Sequence, residues 1–157
     1  MLDVAGAKNC QYLPNGYEIS PEDLEKCVVS EGVNLGTGCV VLVRTGYGAF
    51  WNDRENYLKY AVVGKEATMW LARKRPFAVG ADNPSFESLL TKNYENNAFH
   101  FVHVYLLPQR GIYIIENVNL ESLARDHCYN FVFVGLPLKL RGATGSPLRP
   151  IALCNSV

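Results

Sequence analysis

One short apolar run constrains the fold of this chain more than any other feature. The run Cys39-Val-Val-Leu-Val-Arg44 is uninterrupted and rich in β-branched residues. The chain enters it through Gly36 and Gly38 and leaves it through Thr45-Gly46. A strand that is apolar at every position is typical of a parallel sheet covered on both faces by helices. The run therefore predicts a buried strand in a layered α/β fold.

Helical segments alternate with the other predicted strands. A helix is predicted over 21–30, because Ser20 is a good N-cap, Pro21 suits the first position, and acids follow in the first turn. A second helix is predicted over 66–75, ending before Pro76. Further elements are predicted as strands over 77–80, 112–118, 130–134 and 151–154, a short helix over 120–125, and irregular chain over 140–150. This alternation predicts an α/β layer fold with a mixed sheet and flanking helices, although it leaves the strand order open.

Composition narrows the class of partner. The 157 residues fit one compact domain, and 15 basic side chains balance 15 acidic ones. Without a basic face we expect no nucleic-acid partner. The longest stretch without charge, 96–109, has only 14 residues, so we expect no membrane span. The N-terminus has no basic cluster before an apolar segment, so we expect no secretory signal and a cytoplasmic location.

The pattern of the five cysteines predicts neither disulfides nor a cysteine metal site. They are Cys10, Cys27, Cys39, Cys128 and Cys154, an odd and scattered set without a Cys-x-x-Cys pair. We expect all five to be reduced thiols in the core or at the surface. Cys128 follows His127 directly, but neighbours in sequence do not define a nucleophile and its base.

Histidines and one glutamate are the candidates for chemistry. His100 and His103 stand three apart, a spacing that puts both on one side of a helix, although their apolar setting favours core or edge histidines over metal ligands. In a strand over 112–118, Glu116 shares a face with apolar side chains and therefore needs a partner. A divalent metal held jointly with a histidine is one solution, and an ion pair with Arg44 is the other.

Three further features have structural explanations. Asp82 follows a predicted strand and is expected to cap the turn that it opens. The segment 142–147 lacks the lysine of a phosphate loop and opens no helix, so it is predicted to be a turn. Phe50 and Trp51, near Tyr47, can line a pocket for a planar substrate, but aromatic residues after a buried strand more often belong to the core.

Four segments together resemble one family. They are Val40–Gly46, Val79–Ser85, the group His103, Leu106-Leu107 and Gly111–Asn117, and the long stretch Leu136–Ala152, which contains Pro-Leu-Lys-Leu-Arg-Gly-Ala-Thr-Gly-Ser-Pro. In order and spacing they resemble the cyclase family, which includes bacterial-type kynurenine formamidase and isatin hydrolase. The resemblance implies a metal-dependent hydrolase in which zinc or manganese activates water against an amide or lactone carbonyl, as in N-formylkynurenine or isatin.

The resemblance implies only part of a metal site. The family's first ligands come from a His-x-Gly-Thr-His-x-Asp-x-Pro-x-His motif that this sequence does not contain. Carried over by position, the metal ligands are His103 and Glu116. His100 is the alternative to His103, since the loop before Glu116 is about one residue longer than is usual in the family.

We therefore expect 1–157 to be the C-terminal part of a single cyclase-like domain. Alone, it is expected to bind zinc or manganese weakly and to lack catalysis, because a catalytic site uses three or more protein ligands. A second reading is a non-catalytic binding module that forms homo-oligomers or pairs with a full-length homologue. A third is an enzyme that completes its site with a partner chain, or with His100 and His127 as substitute ligands.

Overall fold

A computed structural model describes residues 1–88 and 100–155. The elements, in chain order, are β1 Leu2–Asp3, α1 Val4–Ala7, β2 Glu18–Ile19, α2 Pro21–Ser30, β3 Val40–Arg44, a 3-10 turn Tyr47–Phe50, α3 Arg54–Tyr57, β4 Val62–Val63, α4 Lys65–Arg73, β5 Ala78–Ala81, α5 Phe101–Val104, a π turn Tyr105–Gln109, β6 Tyr113–Ile115, α6 Glu121–Arg125, β7 Val132–Val134 and β8 Ile151–Leu153. The α/β fold class is confirmed. The part of the uncharged stretch before His100 lies outside the described residues.

The main sheet has four parallel strands in the order β1-β3-β5-β6. Two small two-stranded sheets accompany it, β2 with β4 in parallel and β7 with β8 antiparallel. Strand β3 is buried on both faces, as its sequence predicts. Val41 and Val43 join the larger core, and Leu42 joins a smaller core on the opposite face with Val118 and Leu120.

Helix α2 forms where its sequence signals place it. The Ser20 hydroxyl accepts from the backbone N–H of Asp23 at 3.3 Å, and the Asp23 carboxylate accepts from the N–H of Ser20 at 3.2 Å. This reciprocal pair satisfies two N–H groups at the start of the helix. Leu24 and Cys27 of this helix are buried in the larger core. Helix α4 covers the same core with Trp70 and Leu71.

The strand predicted over 112–118 is shorter than expected. Its pairing with β5 runs only from Tyr113 to Ile115, because the last register pair is Gly80 with Ile115. Asn117 then adopts a positive φ of 60°, and the N–H groups of Asn117 and Val118 donate to the carbonyl oxygens of Asn83 at 2.9 Å and Ala81 at 3.1 Å outside the regular strand register. Glu116 thus lies in the loop just after β6 rather than within a strand.

The carboxyl-terminal region carries a disulfide. Cys128, after α6, and Cys154, after β8, are joined with a Cα–Cα distance of 6.2 Å. The expectation of five reduced thiols is therefore wrong, because the hairpin of β7 and β8 returns the chain end to the end of α6. Cys10, Cys27 and Cys39 are free.

The chain between β7 and β8 is irregular, as predicted. Its segment 142–147 forms no phosphate loop, and the Ser146 hydroxyl accepts from the N–H of Leu138 at 2.8 Å.

In the part of the chain that the structure covers, no helix combines the length and apolar character needed to cross a bilayer.

Candidate metal centre

The candidate metal-binding residues lie at the carboxyl edge of the main sheet. Segment 82–88 follows β5, and Glu116 follows the neighbouring strand β6. The backbone N–H of Phe86 donates to Oε1 of Glu116 at 2.8 Å, which ties the two loops together. In parallel sheets, ligands bind at this edge, because the loops after neighbouring strands converge there.

Glu87 is the buried anchor of this edge, with 1% of its surface exposed. Its Oε2 accepts from the backbone N–H of Val102 at 3.0 Å, and its Oε1 accepts from the N–H of His103 at 3.1 Å. Oε1 also meets Nδ1 of His103 at 2.5 Å. Burial acts to raise the pKa of Glu87, but the His103 side chain and the two N–H groups outweigh it and lower the pKa. Glu87 is therefore an ionised carboxylate that holds the first turn of α5.

His103 is placed between two carboxylates. Its Nδ1 faces Glu87, and its Nε2 lies 3.4 Å from Oε1 of Glu116. Glu116 and then Glu87 raise the pKa of His103 to about 9, against the smaller opposing effect of burial. Both side chains of the pair are accessible, since the side chain of His103 is 31% exposed and that of Glu116 is 27% exposed.

The spacing between His103 and Glu116 fits a bound ion. Zinc binds histidine nitrogen and carboxylate oxygen at about 2.0–2.2 Å, so two ligand atoms of a tetrahedral site lie about 3.4 Å apart. The Nε2–Oε1 distance in the structure is 3.4 Å. A metal-bound histidine usually donates its other ring N–H to a carboxylate, and Glu87 occupies that position. The predicted pair is thus brought together in a geometry suited to a divalent cation.

His100 offers a second arrangement. Its Nδ1 lies 3.7 Å from Oε1 of Glu87, and ligand atoms of Glu87, His100 and His103 all lie within 4.8 Å of one another. This grouping uses Nδ1 of His103, which already contacts Glu87, and a carboxylate that already accepts two backbone N–H groups. The pair formed by Nε2 of His103 and Glu116 does not require these contacts to break, so we favour it.

Two alternatives that the sequence leaves open are not realised in the described residues. Arg44 does not pair with Glu116; it pairs with Asp3 at 2.8 Å and with Glu121 at 2.8 Å, because the end of β3 lies beside β1 and α6. His127 does not join the metal grouping within the described residues, and its Nδ1 contacts the hydroxyl of Tyr129 at 3.0 Å. His127 is therefore no substitute ligand in this structure.

Asp82 has a structural role, but not as a cap of its own turn. Its carboxylate accepts from the N–H of Thr45 at 2.8 Å, the hydroxyl of Thr45 at 2.6 Å and the N–H of Gly46 at 2.8 Å. These groups follow the neighbouring strand β3. Burial raises the pKa of Asp82 even though these donors favour its charged form. Asp82 thus fixes the turn after β3 beside the candidate centre.

A recess of about 180 Å³ lies next to this turn. Trp51, Tyr57, Asn117 and Asn119 line it, together with Gly48, Asp82 and Val118. The Tyr57 hydroxyl donates to Oδ1 of Asn117 at 2.7 Å. Of the aromatic residues after β3, Tyr47 is buried in the core and Trp51 is 61% exposed at the recess. Tyr47 thus belongs to the core as predicted, and a planar substrate at Trp51 stays a prediction.

Sequence reasoning missed Glu87. It stands two residues beyond Val79–Ser85, the segment that carries the resemblance. A buried carboxylate shortly before a pair of histidines is the signal that indicates a positioning partner. That signal is weak in sequence alone, because residues 88–99 separate Glu87 from His100.

Comparison with known proteins identifies the family. The family model named Cyclase, described as "Putative cyclase", matches residues 1–88. This match covers more than half of the chain, and the chain belongs to the cyclase family. A comparison with curated proteins finds no significant match.

Solved structures share the fold. A structure described as a novel cyclase is 31% identical with a TM-score of 0.83, and the match covers 97% of this chain and 50% of that one. A potential metal-dependent hydrolase with cyclase activity is 21% identical with a TM-score of 0.66, covering 99% and 63% of the two chains. Isatin hydrolase A from Ralstonia solanacearum is 21% identical with a TM-score of 0.76, covering 90% and 54%. The chain thus spans about half to two thirds of the length of these structures.

Proposed function

We propose that this chain supplies His103 and Glu116 as ligands to the divalent metal of a cyclase-type hydrolase. The observation that carries the proposal is the 3.4 Å separation of Nε2 and Oε1, with Nδ1 of the same histidine held by buried Glu87. Zinc and manganese both accept this nitrogen and oxygen donor set.

Each residue of the centre has a distinct task. Glu87 orients the imidazole and holds a proton at Nδ1, so that a bound metal would replace only the proton on Nε2. The N–H of Phe86 holds the Glu116 carboxylate at 2.8 Å. A divalent ion held by His103 and Glu116 would supply a water of lowered pKa and would polarise a substrate carbonyl.

The proposed metal site is incomplete in this chain. A catalytic zinc site commonly uses three protein ligands and an open position, whereas this pair offers two. The match to the novel cyclase covers 50% of that chain, so this chain matches only part of that structure. We therefore propose that residues 1–157 form the C-terminal share of one cyclase-like domain and that they do not catalyse hydrolysis alone.

The proposed substrate class rests on the recess next to the turn after β3, near Glu116. An apolar cavity of about 150 Å³ holds one benzene ring, and the recess here measures about 180 Å³ with Trp51 and Tyr57 on its wall. An aryl amide or lactam, such as N-formylkynurenine or isatin, suits a site of this size. The similarity in fold to isatin hydrolase supports this class.

The test combines metal binding with turnover. The purified chain is titrated with Co²⁺, whose visible absorption reports nitrogen and oxygen ligation, and is assayed with Mn²⁺ or Zn²⁺ on isatin and N-formylkynurenine. We expect a Co²⁺ spectrum that is lost in Glu116→Gln and retained in His127→Ala, with no turnover above metal alone. An absent spectrum contradicts the metal site. Metal-dependent turnover that Glu116→Gln abolishes contradicts the incompleteness.

A second candidate function is a non-catalytic module that assembles with a full-length homologue. The large apolar side chains exposed near the C-terminus, such as Leu136 and Leu138, favour it. Co-purification with such a homologue, together with failure to bind metal, would favour this function over the first.

A further inference from the structure

The side-chain amide of Asn117 is held at the wall of the recess beside Trp51. The backbone N–H of Asn117 donates to the carbonyl oxygen of Asn83 at 2.9 Å, and its Oδ1 accepts from the hydroxyl of Tyr57 at 2.7 Å. Within the described residues, the Nδ2 of Asn117 donates to no protein group. Two contacts therefore fix this residue, and its NH₂ group is available to a ligand.

The hydroxyl of Tyr57 sets the direction of the amide. Its side chain is buried, and burial raises the pKa of Tyr57 to about 12, with smaller contributions from the carboxyl groups of Asp82 and Glu116. The phenol therefore keeps its proton at neutral pH and donates it to Oδ1 of Asn117. The Nδ2 group lies at the other end of the planar amide, away from Tyr57.

The backbone turn at this position does not by itself require an amide. Asn117 has a φ of 60°, in the left-handed region, where glycine fits at the lowest cost. Asparagine and aspartate are the other residues that adopt this conformation most readily. The amide thus adds to the turn a hydrogen-bond donor that the backbone geometry does not need.

The recess favours a neutral aromatic ligand. The rings of Trp51 and Tyr57 meet edge to face at its wall, with centroids 5.6 Å apart and planes at 75°. No lysine, arginine or histidine is among the described residues that line the recess, whereas Asp82 lines it and Glu116 lies next in sequence to Asn117. Acidic groups without a facing cation disfavour an anionic ligand. A neutral ring with a hydrogen-bond acceptor matches both the aromatic wall and the amide.

We propose that Nδ2 of Asn117 binds the carbonyl oxygen of a neutral aryl amide whose ring lies against Trp51. This assignment rests on the proposed function for its substrate class, and it adds the residue that selects a neutral carbonyl over a carboxylate. Opening of a lactam by water converts its amide into an amine and a carboxylate. The recess would therefore bind the lactam more tightly than the product that carries this new charge.

Nuclear magnetic resonance tests the assignment on the metal-free chain. Formanilide, a neutral aryl amide, and benzoate, an aryl anion of similar size, are titrated into the ¹⁵N-labelled chain in buffer with a metal chelator. The signals followed are the side-chain amide of Asn117 and the indole N–H of Trp51. We expect formanilide to shift both signals and to bind about tenfold more tightly than benzoate.

Asn117→Asp is the sharpest variant. Aspartate keeps an acceptor for the Tyr57 hydroxyl and tolerates the left-handed backbone, but it has no donor at neutral pH. We expect its affinity for formanilide to fall about tenfold. Asn117→Gly, which loses the amide but fits the backbone, should lose affinity in the same way.

Asn119→Asp is the matched control, because Asn119 lines the same recess and the variant adds the same charge. The Oδ1 of Asn119 accepts from the N–H of Glu121 at 3.1 Å, a contact that aspartate can also make. We expect this variant to bind formanilide as the wild type does. The dispersion of the ¹⁵N spectrum shows whether each variant keeps its fold.

Several results would overturn the assignment. They are no shift of either signal with formanilide, equal affinity in the wild type and both Asn117 variants, an equal loss in Asn119→Asp, and tighter binding of benzoate than of formanilide. The chelator excludes metal from every titration, so the Co²⁺ spectrum decides the metal centre separately. Formanilide binding without a Co²⁺ spectrum contradicts the metal centre alone, and the reverse pair of results contradicts the role of Asn117 alone.

Discussion

Glu87 and His103 are joined twice, once through the backbone N–H of His103 at 3.1 Å and once through its ring Nδ1 at 2.5 Å. This double contact fixes both the start of α5 and the direction of the imidazole. With Nδ1 engaged, Nε2 is the ring atom that faces Glu116. The orientation of the candidate ligand thus depends on a buried side chain that itself need not touch an ion.

Glu87→Gln tests this positioning role. Glutamine has one carbonyl oxygen in place of two carboxylate oxygens. The imidazole therefore loses its charged partner, and α5 loses one acceptor for its N–H groups. We expect metal affinity to fall about 10- to 100-fold, as for other groups that orient a metal-bound histidine. Isothermal titration with Zn²⁺ measures this. Glu66→Gln, an exposed acid at the start of α4, is the matched control and should bind as the wild type; an equal loss in both variants would show that Glu87 has no special role.

Gly46→Ala tests the turn that Asp82 holds beside the centre. Gly46 has a φ of +86°, and an added Cβ would lie 2.1 Å from the carbonyl oxygen of Gln11. We expect the free energy of unfolding to fall by about 3 kcal/mol from backbone strain and overlap together. Gly36→Ala, where nothing lies within 4 Å of an added Cβ, should change it by less than about 0.5 kcal/mol. Equal urea midpoints for the two variants would refute the strained turn.

Asp23 makes stability depend on acid pH. Burial acts to raise its pKa, but Lys8 at 2.7 Å, the Tyr17 hydroxyl and the N–H of Ser20 outweigh burial and lower the pKa. The unfolded carboxyl takes up its proton near pH 4, above the folded one. Between the two pKa values the unfolded state binds more protons, so this contribution is complete above pH 4 and is lost as pH falls below it.

The measurement is urea unfolding at pH 6 and pH 3 for the wild type and Asp23→Asn. The variant should lose about 1–2 kcal/mol at pH 6 through its helix cap and ion pair. Its further loss on acidification should be smaller than that of the wild type. Parallel curves for the two proteins would contradict the lowered pKa.

The sequence predicts the longer helices and strands more completely than it predicts the candidate site. The cap at Ser20 and the apolar run ending at Arg44 define α2 and β3 by local signals, and both form as predicted. Very short elements such as β1 and α1 carry no such signal and depend on their tertiary contacts. The sequence leaves the partner of Glu116 open between a metal and Arg44, and the structure pairs Arg44 with Asp3 instead, because ion pairing follows strand order, which spacing does not fix.

The candidate site and the disulfide also depend on contacts between residues that are distant in sequence. His103 and Glu116 are candidates by residue type and spacing and are assigned as ligands by resemblance, and the structure brings them together. The orienting Glu87 was missed because its contact with His103 spans 16 positions without a motif. Cys128 and Cys154 pair because the hairpin of β7 and β8 closes, a long-range event that cysteine spacing does not reveal.

The disulfide predicts a measurable stabilisation. Cys128 and Cys154 are 26 residues apart, and closing a loop of this length in the unfolded chain is worth about 3 kcal/mol. Thiol titration of the denatured, unreduced protein should find three free thiols, and Cys128→Ser should lower the free energy of unfolding by about that amount. Cys39→Ser, at a free and half-buried thiol, is the control. Five titratable thiols in the unreduced protein would contradict the bridge.

The central claim is that His103 and Glu116 bind one divalent ion, and metal stoichiometry tests it most directly. The chain is brought to dialysis equilibrium with a saturating free concentration of Zn²⁺ or Mn²⁺, and the bound metal is measured by plasma mass spectrometry beside His103→Ala, Glu116→Ala and His127→Ala. The account predicts about one ion per chain in the wild type and in His127→Ala, and none in the other two variants. An ion retained in both His103→Ala and Glu116→Ala, or no ion in the wild-type chain, would contradict it.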